Sequence, residues 1–179
     1  MSNTVSSKID LSIHTRQVLS DGLEAGTISE KFLVSLDLKN GATSGKIDAA
    51  YSAQATAIAA STTTSIDLVA GINDPFGTAI SFATVNLIAI RNLRSTAGAY
   101  LDVGPHATHG FGLSETEGPW IAALGSGGGN RIGPSGWFVF YSVAGVACTG
   151  GASDILATIT SAIAGSTNSW DLVVLGQKA

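Results

Sequence analysis

His106 and His109, with Asp102, Glu115 and Glu117 nearby, are the residues of this 179-residue chain whose types best suit a metal ion. Neutral imidazoles and carboxylates are proper ligands, but His-x-x-His on a glycine-rich loop does not hold both rings on one face as a helix would. Without a recognisable third ligand, loop or interface residues are the better reading. The run GSGGGN at 125–130 has the backbone freedom of a phosphate-binding loop. A phosphate loop needs a following Gly-Lys-Ser/Thr and a helix, whereas here Arg131-Ile132-Gly133-Pro134 leads into a strand, so 125–130 reads as a flexible connection. There is no Gly-x-Ser-x-Gly elbow for a nucleophile. Cys148 has no charged sequence neighbour to lower its pKa and reads as a small buried apolar residue. Ser135, in GPSGW, sits where a turn is expected. Asp102, Glu115 and Glu117 could be paired for glycoside hydrolysis, but any β domain offers acids near loops. No nucleophile, base and orienter can be named together, so the expectation is a protein that is not an enzyme and carries no cofactor.

The remaining chemical handles are aromatic: Trp120, Trp137 and Trp170, with Tyr100 and Tyr141. Exposed rings can stack on sugars, but each lies in or beside an apolar run, where core or interface packing is the default. Trp120, next to Pro119 at the end of a long loop, is the candidate for exposure.

The elements that would position these residues are strands. Residues 62–93 open with Ile66, Leu68 and Ala70 alternating against Ser65, Asp67 and Val69, break at GINDPFG, and resume as a long run rich in branched and aromatic side chains. This stretch predicts a central pair of strands. Residues 30–39 alternate cleanly, with Phe32, Val34, Leu36 and Leu38 on one face, and Asn40-Gly41 then signals a turn. Residues 47–58 are small and weakly patterned, which suits close approach of sheets or subunits. Further strands are expected at 97–103, 137–143, 154–159 and 170–175, the last a continuous Leu-Val-Val-Leu that should be buried on both sides. Residues 104–118 read as a long irregular loop. SIDLVAG and SWDLVVLG echo each other too briefly for a repeat, and would place an aspartate at one rim. Many short strands with turn signals between them indicate an all-β fold, an antiparallel β-sandwich with a jelly-roll-like arrangement.

Residues 1–26 differ from the rest. Ile9, Leu11 and Ile13 alternate as in a short strand, and residues 16–19 suit one helical turn. Two readings stay open, a partly ordered terminus or an arm lying on a neighbouring subunit. The organisation expected is therefore an N-terminal arm at 1–26 and a single sandwich domain at 27–179.

Composition points to assembly. Charged residues make up 12% of the chain and hydrophobic ones 45%, against about 25% charged in ordinary soluble proteins. Ala, Ser, Thr and Gly fill the gap and give a neutral surface that is poorly protected against association. The net charge of −4 argues against nucleic-acid wrapping. One cysteine excludes an intrachain disulfide framework, and no apolar run reaches membrane-spanning length. Without a basic start and apolar block at the N-terminus, cytoplasmic synthesis is expected.

A resemblance enters on these motifs. An alternating strand containing Asp-Leu, a turn at Asp74-Pro75-Phe76-Gly77, a long apolar strand ending in Arg91-Asn92, then IGPSGWFVFYS and the closing DLVVLG together resemble a recurrent pattern in small β-rich structural proteins of tailed-bacteriophage virions. The resemblance spans residues 47–176 and contains no catalytic signature. It implies a virion-surface or capsid-associated domain. The expectation is a capsid decoration or cement protein at capsomer junctions, assembled in the host bacterial cytoplasm and located in the virion. Its partners would be the major capsid protein, or another virion protein, and further copies of itself in a homotrimer. The interface candidates are Ile9, Leu11, Ile13, His14 and Arg16 in the arm, His106, His109 and Trp120 in and after the long loop, and Arg131. The alternative is a tail- or fibre-associated module that binds a carbohydrate receptor through an exposed aromatic patch.

Overall fold

The computed structural model describes residues 7–19, 26–44, 46–58, 63–105, 111, 130–148, 154–159 and 168–179, and every regular element among them is a strand. In chain order these are β1 (Ser7–Leu19), β2 (Gly26–Asn40), β3 (Lys46–Ile47), β4 (Ala49–Ile58), β5 (Thr63–Asp67), β6 (Ile72–Asn73) and β7 (Ala79–Ile80). They continue as β8 (Phe82–Asn92), β9 (Leu101–Pro105), β10 (Asn130–Ile132), β11 (Trp137–Ala147), β12 (Asp154–Ile159) and β13 (Asn168–Lys178).

β8 and β13 carry apolar residues at both parities, and such strands are stable only where both faces are covered. They lie side by side in the middle of a four-stranded sheet ordered β11-β8-β13-β4. A second four-stranded sheet runs β10-β9-β12-β5, and all the pairings in both are antiparallel. Along the chain, β4, β8, β11 and β13 fall in the first sheet and β5, β9, β10 and β12 in the second. Every connection among these eight crosses between sheets except the step from β9 to β10. Eight strands in two sheets with this alternation form a jelly roll.

The inward faces meet in one core. Ile88, Ile90, Leu172 and Val174 from the first sheet pack in the same buried cluster as Ile66, Leu101, Val103 and Ile132 from the second, together with the large rings of Trp170, Phe82 and Phe111. Fully burying one such aliphatic side chain contributes about 1.5–3 kcal/mol. The outward face of the first sheet holds a smaller cluster, in which Leu87 and Leu175 are covered by Leu38 of β2 and Ile47 of β3. Continuous Leu-Val-Val-Leu is buried on both sides because β2 and β3 supply that second cover.

Several expectations are corrected. Residues 62–93 do not form a central pair: β5 is an edge strand of the second sheet, β8 is central in the first, and the β6–β7 ribbon lies between them in sequence. The alternation in β5 shows one buried face without saying which sheet it faces. The turn expected at Asn40-Gly41 is present as a bend with Gly41 at a φ of +147°, but it leads β2 into parallel pairing with β3, the Gly41 amide donating to the Ile47 carbonyl at 2.9 Å. Residues 16–19 continue strand β1 in place of a helical turn, held by pairing with β2 through Leu19↔Gly26. The strand expected at 97–103 begins at Leu101 and runs through Pro105, so residues 104 and 105, expected in the long loop, belong to β9. The two aspartates of the sequence echo lie in opposite sheets, Asp67 ending β5 and Asp171 within β13.

Buried amides handle the irregular places. Between Val85 and Leu87 the β8 register shifts, and β11 shifts between Tyr141 and Val146. Asn86 bridges the gap, donating from Nδ2 to the carbonyls of Ser142 and Val143, both at 3.1 Å. Gly145 lies against it with φ of +77°, a left-handed conformation that favours glycine. Opposite, a Cβ on Gly176 would land on the Thr84 carbonyl oxygen. Asn92 is fully buried and donates from Nδ2 to the carbonyls of Ala99 (2.8 Å), Gly133 (3.1 Å) and Ile132 (3.2 Å), tying the β8–β9 crossover to the turn before β11.

β1 and β2 pair antiparallel through thirteen residue pairs, Ser7↔Leu38 to Leu19↔Gly26. At about 3.3 Å per residue the ribbon is roughly 40 Å long. It runs across residue 26, so the N-terminal arm and the first strand after it are one structural unit. Among the described elements, its extensive contact outside itself is with β3. That root is fixed. The Asp48 amide donates to the Gly176 carbonyl (3.0 Å), the Lys178 amide to Asp48 Oδ1 (2.6 Å), and Gln177 Nε2 to the Thr43 carbonyl (2.8 Å).

Candidate functional site

The outward face of the first sheet is the surface with the most to explain. Its register sets side chains in rows across the strands. Tyr141, Leu87, Leu175 and Ala50 form one row, Val139, Ala89, Val173 and Ser52 the next, and Trp137, Arg91 and Asp171 the third. The first row is the one β2 and β3 cover. Beyond it the cover thins: Ala89 and Val173 of the second row are partly buried against the same cluster, while Val139 is 54% and Trp137 61% exposed. Scattered exposed aliphatics need no explanation, but a tryptophan and a valine on adjacent rows of one sheet face, continuous with a buried cluster, form a patch.

Arg91 completes it. Its guanidinium lies 5.1 Å from the centre of the Trp137 ring, a cation–π arrangement. It makes no ion pair among the described residues, and its buried Nε has no hydrogen-bond partner there. The neighbouring carboxylate is committed elsewhere. Asp171 Oδ1 accepts from the Ala55 amide at 2.9 Å, where β4 bulges and Ala55 takes a φ of +48°. Tryptophan and arginine are the residue types that dominate binding energy when an interface closes over them.

A second cluster lies on the second sheet. Arg131 and Asp102 are directly opposite in the β10–β9 register and pair through two hydrogen bonds, Nε to Oδ1 at 2.7 Å and Nη2 to Oδ2 at 3.0 Å. The half-exposed Tyr100 ring lies 5.4 Å from the same guanidinium. Hydrogen bonding to Asp102, then its charge, raises the Arg131 pKa further, so the guanidinium stays charged. A third feature is the β6–β7 turn. Asp74 Oδ1 accepts from the amides of Phe76 (2.9 Å) and Thr78 (2.8 Å), holding a Phe76 that is 83% exposed.

The ribbon carries five of the interface candidates. Its register puts Ile9, Leu11 and Ile13 opposite Leu36, Val34 and Phe32, all on the face that continues to Leu38. His14 and Arg16 fall on the other face, opposite Lys31 and Ser29. That face is polar and exposed at Lys8, Asp10, Ser35 and Asp37. Ser35 Oγ donates to Asp10 Oδ1 at 2.7 Å and Lys8 Nζ lies 3.0 Å from Oδ2. The Ser35 hydrogen bond, then Lys8, holds the Asp10 carboxyl below the usual carboxylate range.

Arg131 is exposed on β10, while His106, His109 and Trp120 lie outside the described residues. So does 125–129 of the glycine-rich run, whose last member, Asn130, is buried at the start of β10. Ser135 does sit in a turn, with φ of +55°. Cys148 is partly buried against the core. Among the described residues no three His, Cys, Asp or Glu side chains gather as a metal site. Tryptophan placement differs from the default: Trp170 is core, but Trp137 is exposed. WFVFYS alternates Trp137, Val139 and Tyr141 against Phe138 and Phe140, so both faces look apolar and nothing local marks the outward one. Arg91, cross-strand from Trp137, is the signal that could have found it, and only once register is known. Comparison with protein-family models, with curated proteins and with solved structures finds no match to this chain.

Proposed function

We propose that this protein is a non-enzymatic structural component of a bacteriophage virion, a capsid decoration or cement protein that adds interface across capsomer junctions. The observation that carries the reading is the exposed apolar strip of Trp137 and Val139 around Arg91 on the outward face of the first sheet. A chain with 12% charged residues offering such a surface is suited to packing against other proteins. Jelly rolls serve as viral capsid domains, and equally as lectins, so the fold is compatible with the reading and does not by itself decide it. The partners are the major capsid protein, or another virion protein, and further copies of this chain; a homotrimer engaging three symmetry-related sites would gain steeply in avidity. The test is co-sedimentation of purified protein with phage shells lacking decoration. Saturable binding with increased heat resistance of the shells is expected, and shells that neither bind it nor gain resistance would sink the proposal.

The Tyr100–Arg131–Asp102 cluster favours a second reading, a receptor module in which a sugar stacks on Tyr100 and hydrogen-bonds to the ion pair. Glycan binding lost in Tyr100→Ala, with shell binding absent, would select it.

A further inference from the structure

β11 is an edge strand of the first sheet, and Trp137–Ala147 contains no Asp, Glu, Lys, Arg or Pro. We propose that β11 of one copy pairs with β11 of a second copy, antiparallel about a two-fold axis through Val139, so that the first sheets of the two copies become one continuous sheet. This goes beyond the virion reading and requires nothing of a shell, and it predicts a two-fold pair where that reading names a homotrimer.

The ladder with β8 fixes which backbone groups of β11 point outward. The Asn92 amide donates to the Gly136 carbonyl at 3.0 Å, so residues 92 and 136 face each other as a hydrogen-bonded pair. Bonded and non-bonded pairs alternate along an antiparallel ladder. The register from Trp137↔Arg91 to Tyr141↔Leu87 is unbroken, so Phe138 and Phe140 turn their N–H and C=O groups towards β8. Trp137, Val139 and Tyr141 turn theirs to the outer rim, and among the described residues nothing hydrogen-bonds to them there. Such a rim is a template for another strand, and proteins that must stay apart blunt it with charge, proline or a bulge. Residues 137–141 carry none of these, and the irregularity in β11 begins only after Tyr141.

Symmetry selects the occupant. A rim whose outward groups sit at 137, 139 and 141 is its own complement when turned end for end. Centring on Val139 sets Trp137 opposite Tyr141 of the other copy and Val139 opposite Val139, each as a bonded pair. An axis at Tyr141 would instead carry half of the pairing into the shifted segment that follows it. Directly opposite residues share a sheet face, so the exposed Trp137 ring packs on Tyr141 of the other copy and the two exposed Val139 side chains meet. Tyr141 already packs against the Leu38, Ile47, Leu87 and Leu175 cluster, so Trp137 extends that cluster across the junction. An uncharged strand sets no like charges against each other at the axis. Arg91, one strand further in, falls in line with Leu87 of the other copy and does not meet its own symmetry mate. A contact of one patch with itself closes at two copies.

The experiment is light scattering coupled to size exclusion on the full chain, with far-ultraviolet circular dichroism following the strands. Wild type is expected at the mass of two copies. Val139→Lys and Val139→Glu each set like charges opposite one another at the axis. Each is expected to weaken the pair about tenfold or more, the scale of like charges juxtaposed in an interface. Mixed in equal amounts, the two variants should recover the pair as a heterodimer. Val139 is exposed in the single chain, so neither substitution enters the core. Val139→Pro removes an N–H that the β8 ladder does not use and should give a monomer with the strand signal intact; the charge variants report even where proline impairs folding. A wild type of one or three copies overturns the inference, as do single charge variants that keep the wild-type mass or a mixture that recovers nothing. A dimer that ignores phage shells leaves the inference standing and removes the virion reading; a monomer that decorates shells does the reverse.

Discussion

The jelly roll and the ribbon solve the same problem, covering an apolar strand face, in opposite ways. In the sandwich each inward face meets another face of the same chain, and residues as distant as Ile66 and Leu172 share one core. In the ribbon the pairing is local, between β1 and the strand that follows it, and beyond Leu38 no second layer from the described chain is packed extensively against it. A self-covered sheet carries its stability with it. A ribbon with one apolar face depends on what it meets.

The sharpest way to break that contrast is in the core. Leu172→Ala removes a side chain with no exposure at the centre of β13, and should cost about 2–5 kcal/mol in urea unfolding. Leu11→Ala in the ribbon should leave the sandwich transition within about 0.5 kcal/mol. Equal losses from the two substitutions would mean that ribbon and sandwich unfold as one unit.

Asn92→Ala tests the next layer. It strips the shared donor from three carbonyls in the buried crossover, and a buried acceptor left unsatisfied costs about 1–3 kcal/mol. A loss near the upper end is expected, measured by the same unfolding. A change under about 0.5 kcal/mol would show that the crossover is held by its apolar neighbours alone.

These two predictions also mark what was legible. Alternation at Ile66 and Leu68, continuous Leu-Val-Val-Leu and the frequent turn signals report burial along one strand, and burial is a local consequence of side-chain type. All-β and sandwich follow from that. Sheet membership does not, because β5 and β8 read alike as half-buried or buried strands and only long-range register separates them. Asn86 and Asn92 interrupt an otherwise apolar run, which hints at special roles. Their acceptors lie as far as 57 residues away for Asn86 and 41 for Asn92, beyond any local pattern. For the candidate surface, the alternation at Ile9, Leu11 and Ile13 was readable, whereas the outward orientation of Trp137 was not, since its strand is apolar on both faces.

A smaller effect is expected at the edge of the sandwich. Ala55 holds a left-handed backbone at the β4 bulge, and its amide donates to Asp171 Oδ1. Asp171→Ala should cost about 1 kcal/mol, the scale of one net hydrogen bond. Ala55→Gly should leave stability unchanged or raise it by up to about 1 kcal/mol, as relief of the left-handed strain is offset by glycine's greater chain entropy. A loss in Ala55→Gly would mean that the methyl group packs more than the strain costs.

The smallest effect belongs to the polar face of the ribbon and is read by pH. Ser35 and Lys8 hold the Asp10 carboxyl below its usual range, so the folded ribbon binds this proton more weakly than the unfolded chain does. The resulting stabilisation is present above the ordinary carboxylate range and is lost as pH falls through the lowered value. The site is fully exposed, so solvent screening keeps the contribution small. NMR shifts of the Ser35↔Asp10 pair should therefore report acid loosening of the ribbon while Leu172 and Val174 remain in native packing. Asp10→Asn should flatten that acid response. If instead ribbon and core resonances move together at one pH, then the ribbon is not an independent element and its apolar face is already covered within the single chain.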